Sequence, residues 1–302
     1  MSILVTGGAG FIGSNLVEAL LKDGEEVVVV DNMHTGSPAN LAGLNGSPNL
    51  IRASCNDLPG LDLQPEKIYH LGIPSSSPMY KGNPLLVGEA INGFISVLET
   101  ARRSGARLVY ASSSSLYSGL LPPHQEDMTI AVTDYYTEAR LAMERLAELY
   151  HQLYGVGSAG MRFFSVYGPR EESKKQYANM VSQFLWQMCR GEEPVIYGDG
   201  SQTRDFIHVH DVVRALRLAM GSDYQGILNV GTGRACSFNE VIGMINAKLG
   251  TDIKQKYVEN PIKNYVRDTL ADTGKCREAL GFQAQISLEE GIRRLVAGCK
   301  KV

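Results

Sequence analysis

No apolar run in this 302-residue chain is long enough to cross a bilayer as a helix. The first residues already read as a strand, with no charged and then apolar leader ahead of them, so a cytoplasmic protein is expected. Charge of one sign is missing too. The 29 Lys and Arg face 32 Asp and Glu, a net −3, which gives no electrostatic case for nucleic acid or an anionic membrane as partner. Cysteine is sparse: Cys55, Cys189, Cys236, Cys276 and Cys299 form no C-x-x-C pair and no cluster with metal-ligand spacing. No metal is expected, and reduced thiols are the default. Internal repeats are absent as well. The length suits one large domain, or a domain with a small lobe.

What is there begins at once, with MSILVTGGAGFIG at 1–13. Ile3-Leu4-Val5 reads as a buried parallel strand. Gly7, Gly10 and Gly13 follow in the spacing G-x-x-G-x-x-G, and Leu16, Val17, Leu20 and Leu21 then keep a helical period. Strand, glycine turn and helix start are the context of a dinucleotide-phosphate site. Gly7 allows the turn, Gly10 lets the backbone approach a pyrophosphate, and Gly13 lets the helix lie close to the strand. The free N–H groups of the first helical turn, at Phe11 and Ile12, face the phosphates. An ordinary glycine-rich turn is the alternative. Against it, the strand at Glu26 to Val30 ends in Asp31, about 20 residues past the turn, where a carboxylate would bond ribose hydroxyls. No Arg follows Asp31 closely, which favours NAD over NADP.

Further strands are expected near Leu50, from Lys67 to Leu71, from Ala106 to Ala111 and from Ser158 to Val166. Little room remains for a crossover helix before Lys67. Helical periods cover Leu85 to Arg103 and about Asp134 to Tyr154. Six strands alternating with helices mean an α/β fold with a doubly wound parallel (Rossmann) sheet. Past Gly168-Pro169-Arg170, helices and short strands mix, which reads as a smaller α+β lobe. The expected division is 1–165 for the sheet domain and 166–302 for the lobe, with part of the chain returning to the sheet around 205–223. Capping boxes at Ser237 to Glu240 and Ser287 to Glu290 start two late helices.

Tyr136 and Arg140 stand one helical turn apart and share a face, and Ser113 comes from a strand end. A Tyr base with a nearby cation and a Ser hydroxyl takes a proton from an alcohol while a hydride leaves to NAD. With these residues in place, the chain resembles an extended short-chain dehydrogenase/reductase of the nucleotide-sugar epimerase and dehydratase group. The matching segments are TGGAGFIG at 6–13, VVVVDN at 27–32, YASSSSLY at 110–117, RFFSVYGPR at 162–170 and YGDGSQTRDFIHVHDV at 197–212. The resemblance implies NAD on the sheet, a nucleoside-diphosphate sugar between the lobes, and a homodimer through a helix bundle. It makes Ser113 and Tyr136 catalytic, with Arg140 in the place of the motif lysine. It assigns the adenosine ribose to Asp31, Asn32, Thr35 and Gly36, the adenine to Asp57 and Leu58, and further cofactor contacts to Leu71 and Gly72. It assigns uridine diphosphate to Asn179, Val195, Tyr197 and Arg204, with Arg204 on phosphate.

The departures are informative. In the family the lysine bonds the nicotinamide ribose and favours the phenolate; Arg supplies the field and a ribose fork but cannot shuttle a proton. A solvated helix charge is the other reading of Arg140, given Glu138 and Glu144 nearby. Ser165 stands where the family has Asn, Ala90 where it has another Asn, and Lys263 is nearest to a late substrate-binding Arg. A UDP-hexose 4-epimerase is the leading expectation. A 4,6-dehydratase or decarboxylase of the same fold is the nearest rival, but the acid pair that follows the site Ser or Thr in dehydratases is Ser114-Ser115 here. A non-catalytic NAD-binding scaffold is the third reading. His70, His208 and His210 are read as packing residues.

Overall fold

Short β-branched runs alternate with amphipathic helices through the first half of the chain. The computed structural model, which describes residues 2–261 and 265–299, lays those runs side by side. In chain order they are β1 (Ser2–Thr6), α1 (Phe11–Lys22), β2 (Glu26–Val30), β3 (Asn49–Ile51), β4 (Lys67–His70), α2 (Ser77–Gly82), α3 (Leu86–Ser104), β5 (Arg107–Ser113), α4 (Tyr135–Tyr154) and β6 (Ser158–Phe163). The rest is β7 (Ser165–Tyr167), α5 (Met180–Cys189), β8 (Val195–Tyr197), β9 (Thr203–His208), α6 (Val209–Met220), β10 (Gly226–Val230), β11 (Ala235–Ser237), α7 (Phe238–Leu249), β12 (Lys256–Val258), α8 (Gly274–Leu280) and α9 (Leu288–Cys299).

The main sheet has seven strands in the order β10-β6-β5-β4-β1-β2-β3, every pair parallel. The seventh strand, β10, was not foreseen as part of the sheet; it pairs with β6 from Gly226 against Ala159. The chain returns to the sheet through α6 and β10. Between β3 and β4 there is only a short 3-10 turn, Cys55–Gly60, as the spacing predicts. One face of the sheet packs Leu16, Val17 and Leu20 of α1 with Val212 and Leu216 of α6. The other packs Phe94, Val97 and Leu98 of α3 with Met143 and Ala147 of α4. Each such side chain contributes roughly 2 kcal/mol on leaving water. A separate core under Phe184, Phe206, Phe238 and Ile292 belongs to the second half of the chain. Cys189 is disulfide-bonded, which corrects the expectation of reduced thiols, while Cys55, Cys236 and Cys276 are free.

A buried polar network ties β5, α4, β6 and β10 together. Glu144 Oε2 accepts from Arg162 Nη2 at 2.7 Å, and Glu144 Oε1 accepts from Arg162 Nε at 2.9 Å and from the Ser112 hydroxyl at 2.6 Å. The two charged side chains are 5% and 6% exposed. Arg162 Nη1 also donates to the Tyr117 hydroxyl, which donates to Asn229 Oδ1. Every strong polar group here has partners, which a buried charge requires.

Two buried histidines make stability depend on pH. Burial pushes both His70 and His208 down to about 3, with like charges from Arg140 and His210 adding to the effect. An unfolded His titrates near 6.5, so below that value only the unfolded chain takes up the proton. The stabilisation is therefore full above about pH 6.5 and drains away as the pH falls toward 3. Asp205 and Glu171, raised by burial, act with the opposite sign, so the clean measurement is a difference. Between pH 7 and 5 the parent chain should lose about 2 kcal/mol more than His208→Gln in urea unfolding. Equal losses in the two chains would place the His208 ring in contact with water.

Candidate active site

The strand end of β1 and the first turn of α1 meet through backbone alone. Gly7 has φ +69°, and a Cβ there would lie 2.6 Å from the backbone of Gly72 at the end of β4. A Cβ on Gly13 would lie 2.0 Å from Gly7 O, so the helix can approach the strand only with glycine at this position. No side chain caps α1, and its N-terminal N–H groups open into a cavity of about 340 Å³. At the end of β2 the Asp31 carboxylate accepts from Ala9 N–H at 2.9 Å and Met33 N–H at 2.8 Å. Burial raises its carboxyl, and these backbone N–H groups oppose the shift. A Cβ on Gly36 would fall 2.7 Å from Asp31 Oδ1, so the loop after β2 can close on the carboxylate only with glycine there. This cradle fits a dinucleotide: a diphosphate against the helix start, a ribose beside Asp31.

The cavity continues toward the C-terminal ends of β4, β5 and β6. Its wall includes Asn32, Thr35, Leu71, Gly72, Ser113, Tyr136, Arg140, Ser165 and Asn179, all singled out in the sequence. Ser113 ends β5, and its Oγ accepts from Ser115 N–H at 3.1 Å, which leaves its hydroxyl proton to donate elsewhere. Tyr136 is placed by the start of α4. Asp134 Oδ1 accepts from Thr137 N–H, the Thr137 hydroxyl closes the capping box, and Ser77 of α2 is bonded to Asp134 Oδ2. Tyr80 of α2 meets the Tyr136 ring edge-on at 5.6 Å.

Arg140 is not a solvated charge. It is 5% exposed, its Nη1 donates to Ala111 O on β5 at 2.7 Å, and its guanidinium lies 5.0 Å from the Tyr136 ring centre. Its Nε is buried with no partner among the described residues, as is His70 Nε2, and both residues line the cavity. An unsatisfied guanidinium N–H in the wall fits a ribose hydroxyl or another polar group of a bound ligand.

Other sequence candidates lie elsewhere. The Asp57 carboxylate is turned back to Ser54 N–H, and Leu58 is 1% exposed within the sheet core; the wall at that end is Ala53 to Asn56 instead. Val195 and Tyr197 are exposed on β8, outside the cavity lining. The Arg204 guanidinium sits between Phe238 and Tyr265 and donates to the carbonyls of Thr203, Val266 and Arg267. Lys263 lies outside the described residues. Sequence reasoning also missed Lys174, Tyr177 and Ser75 in the wall. Ser75 follows Gly72 closely in the loop after β4, and nothing in the spacing marks Lys174. No group of His, Cys, Asp and Glu among the described residues could hold a metal, and no described helix is long and apolar enough to cross a membrane.

Comparison with known proteins gives consistent matches. The model of a family described as "NAD dependent epimerase/dehydratase family" matches residues 3–231. The chain is 35% identical to UDP-glucuronic acid decarboxylase 6 of Arabidopsis thaliana, over 97% of this chain and 87% of the relative. It is 33% identical to a putative UDP-glucose 4-epimerase of Methanocaldococcus jannaschii, over 97% of each. Among solved structures, the UDP-glucose 4-epimerase of Thermotoga maritima with UDP-glucose superposes with a TM-score of 0.94 at 32% identity, covering 100% of this chain and 99% of that one.

Proposed function

The chain belongs to the NAD dependent epimerase/dehydratase family, and on that premise we propose that it is a UDP-hexose 4-epimerase working through a 4-keto sugar. Bound NAD would supply reversible hydride acceptance at the sugar carbon, with no net redox change. The Tyr136 Oη would remove the proton of the sugar O4, and the Ser113 hydroxyl would hold that oxygen. Arg140 would hold the phenolate's charge from beneath the ring and offer its free Nε–H to a ribose hydroxyl. The same Tyr136 Oη would give the proton back to O4 at the end of the inversion, and Ser113 would keep that oxygen in place.

The observation that carries this reading over its rivals is the wall beside Ser113. Ser114 and Ser115 follow it in the lining, so the two positions after Ser113 carry no carboxylate to serve as the acid or base of an elimination. The described cations of the wall are Arg140 and Lys174. Neither the serine run nor the loop Ile73 to Ser75 offers a counter-charge for a uronate carboxyl, whereas hydroxyls suit a neutral hexose. The similarity to decarboxylases keeps UDP-glucuronate as the second substrate to test.

Incubation with NAD and UDP-glucose, UDP-galactose, their N-acetyl forms or UDP-glucuronate, followed by separation of the sugars, tests the reading. A C4 epimer without accumulating NADH is expected. A pentose or a 4-keto-6-deoxy sugar would replace the proposal with decarboxylation or dehydration. The same reading includes a cytoplasmic homodimer through the outer side of α4, where Leu149 and Leu153 stand one turn apart and are 45% and 60% exposed. Sedimentation should give twice the chain mass; a monomer at tens of micromolar would remove the dimer.

A further inference from the structure

The glycine turn offers a dinucleotide's diphosphate only backbone N–H groups, which carry partial charge and are screened by water. A full positive charge stands beside it. Lys174, in the segment between β7 and α5, holds its ammonium 5.5 Å from the centre of the Phe11 ring. Phe11 is the first residue of α1, and Lys174 shares the cavity wall with Gly10 and Gly13. The other described cation of that wall, Arg140, belongs to the Tyr136 end.

Two sets of contacts hold the lysine there. Glu171, with 0% exposure, accepts from Lys174 Nζ at 3.2 Å, and its carboxylate is pinned by Asn179 N–H at 2.7 Å and the Ser182 hydroxyl at 2.6 Å. The segment is also tied to the turn itself. Asn15 Nδ2 donates to Pro169 O, and Asn40 Nδ2 donates both to Ala9 O and to Ser173 Oγ. An ammonium has three donors, and the bond to Glu171 uses one. Glu171 gains a counter-charge from this pairing, but that alone does not require the ammonium to stand at the cavity wall.

We propose that Lys174 is the side-chain counter-charge for the cofactor's diphosphate, delivered from outside the sheet domain, with Glu171 holding the ammonium in position. The lysine thus makes the segment after β7 part of the cofactor site, which no spacing in the sequence suggests.

Equilibrium binding to the full chain tests this without any turnover. NAD and ADP-ribose carry the diphosphate; adenosine, measured by competition, does not. Lys174→Gln should bind NAD and ADP-ribose about tenfold more weakly, ~1.4 kcal/mol, with a shallower salt dependence, and adenosine as before. Lys174→Arg should restore most of the loss. The double variant Glu171→Gln with Lys174→Gln leaves no unpaired buried charge, and it should show the same diphosphate-selective loss. Unchanged binding of NAD and ADP-ribose in both variants would overturn the proposal. So would equal weakening of all three ligands, which would mean that the lysine only supports the shape of the cavity.

Discussion

Tyr136→Phe is expected to lower kcat for the proposed epimerisation by about 10³-fold, the middle of the range for loss of a general acid–base group, while NAD binds as before. The change removes one oxygen and nothing else that the fold uses. The ring keeps its edge contact with Tyr80 and its place above Arg140, and the Asp134 cap that starts α4 is untouched. KM for the sugar nucleotide should change little, because the lost interaction matters most as the proton moves. Steady-state kinetics together with NAD titration checks both halves. Turnover within tenfold of the parent would mean that another group takes the proton. Loss of NAD binding would mean that the phenol is a cofactor ligand first.

Arg162→Met should destabilise the protein by about 3–5 kcal/mol, because it leaves the Glu144 carboxylate buried without its partner. Three bonds in the network end on that carboxylate, two from Arg162 and one from Ser112, and at 6% exposure water cannot replace them. The Tyr117 hydroxyl loses a donor at the same time. A loss of this size should lower Tm by on the order of 10 °C. Adding Glu144→Gln to Arg162→Met should recover part of the loss, since the uncompensated charge is then gone. Urea midpoints of the single and double variants decide it. A loss under about 1 kcal/mol would mean that the carboxylate finds water or takes a proton at little cost.

The parts of the site legible in the sequence are those written locally. Glycines at fixed spacing after a β-branched run, and an acid ending the next such run, give β1, α1 and Asp31 directly, because the constraint on each residue comes from its own neighbours along the chain. Tyr136 and Arg140 are legible for the same reason, through helical spacing. The fate of a charge was not legible. Arg140, Arg162 and Arg204 are equally hydrophilic as letters, yet one is bonded to a strand carbonyl, one to Glu144, and one to three carbonyls around residues 203–267. Apart from Thr203, those partners lie 18 to 63 residues away along the chain, and only the folded chain supplies them. The wall next to β3 shows a smaller failure of the same kind. The resemblance assigns the adenine to Asp57 and Leu58, but the 3-10 turn after β3 directs the acid back to Ser54 and presents Ala53 to Asn56 to the cavity. The place of β10 beside β6 is likewise a matter of sheet closure, to which a five-residue strand gives no address.

The bond from Arg140 to Ala111 O has a consequence for motion. It joins α4 to β5 two residues before Ser113, and Glu144 joins the same helix to Ser112. Tyr136 and Ser113 thus ride on one slab, and a fluctuation that separates them must break buried charged contacts. Amide protons of β5 and of the first half of α4 should accordingly be among the slowest to exchange, opening only with global unfolding. The loop after β5 shares this anchorage, since Arg162 of β6 donates to Glu126 O and Asn229 of β10 donates to His124 O and Glu126 Oε1. A ligand in the cavity therefore rests on a floor that stays still.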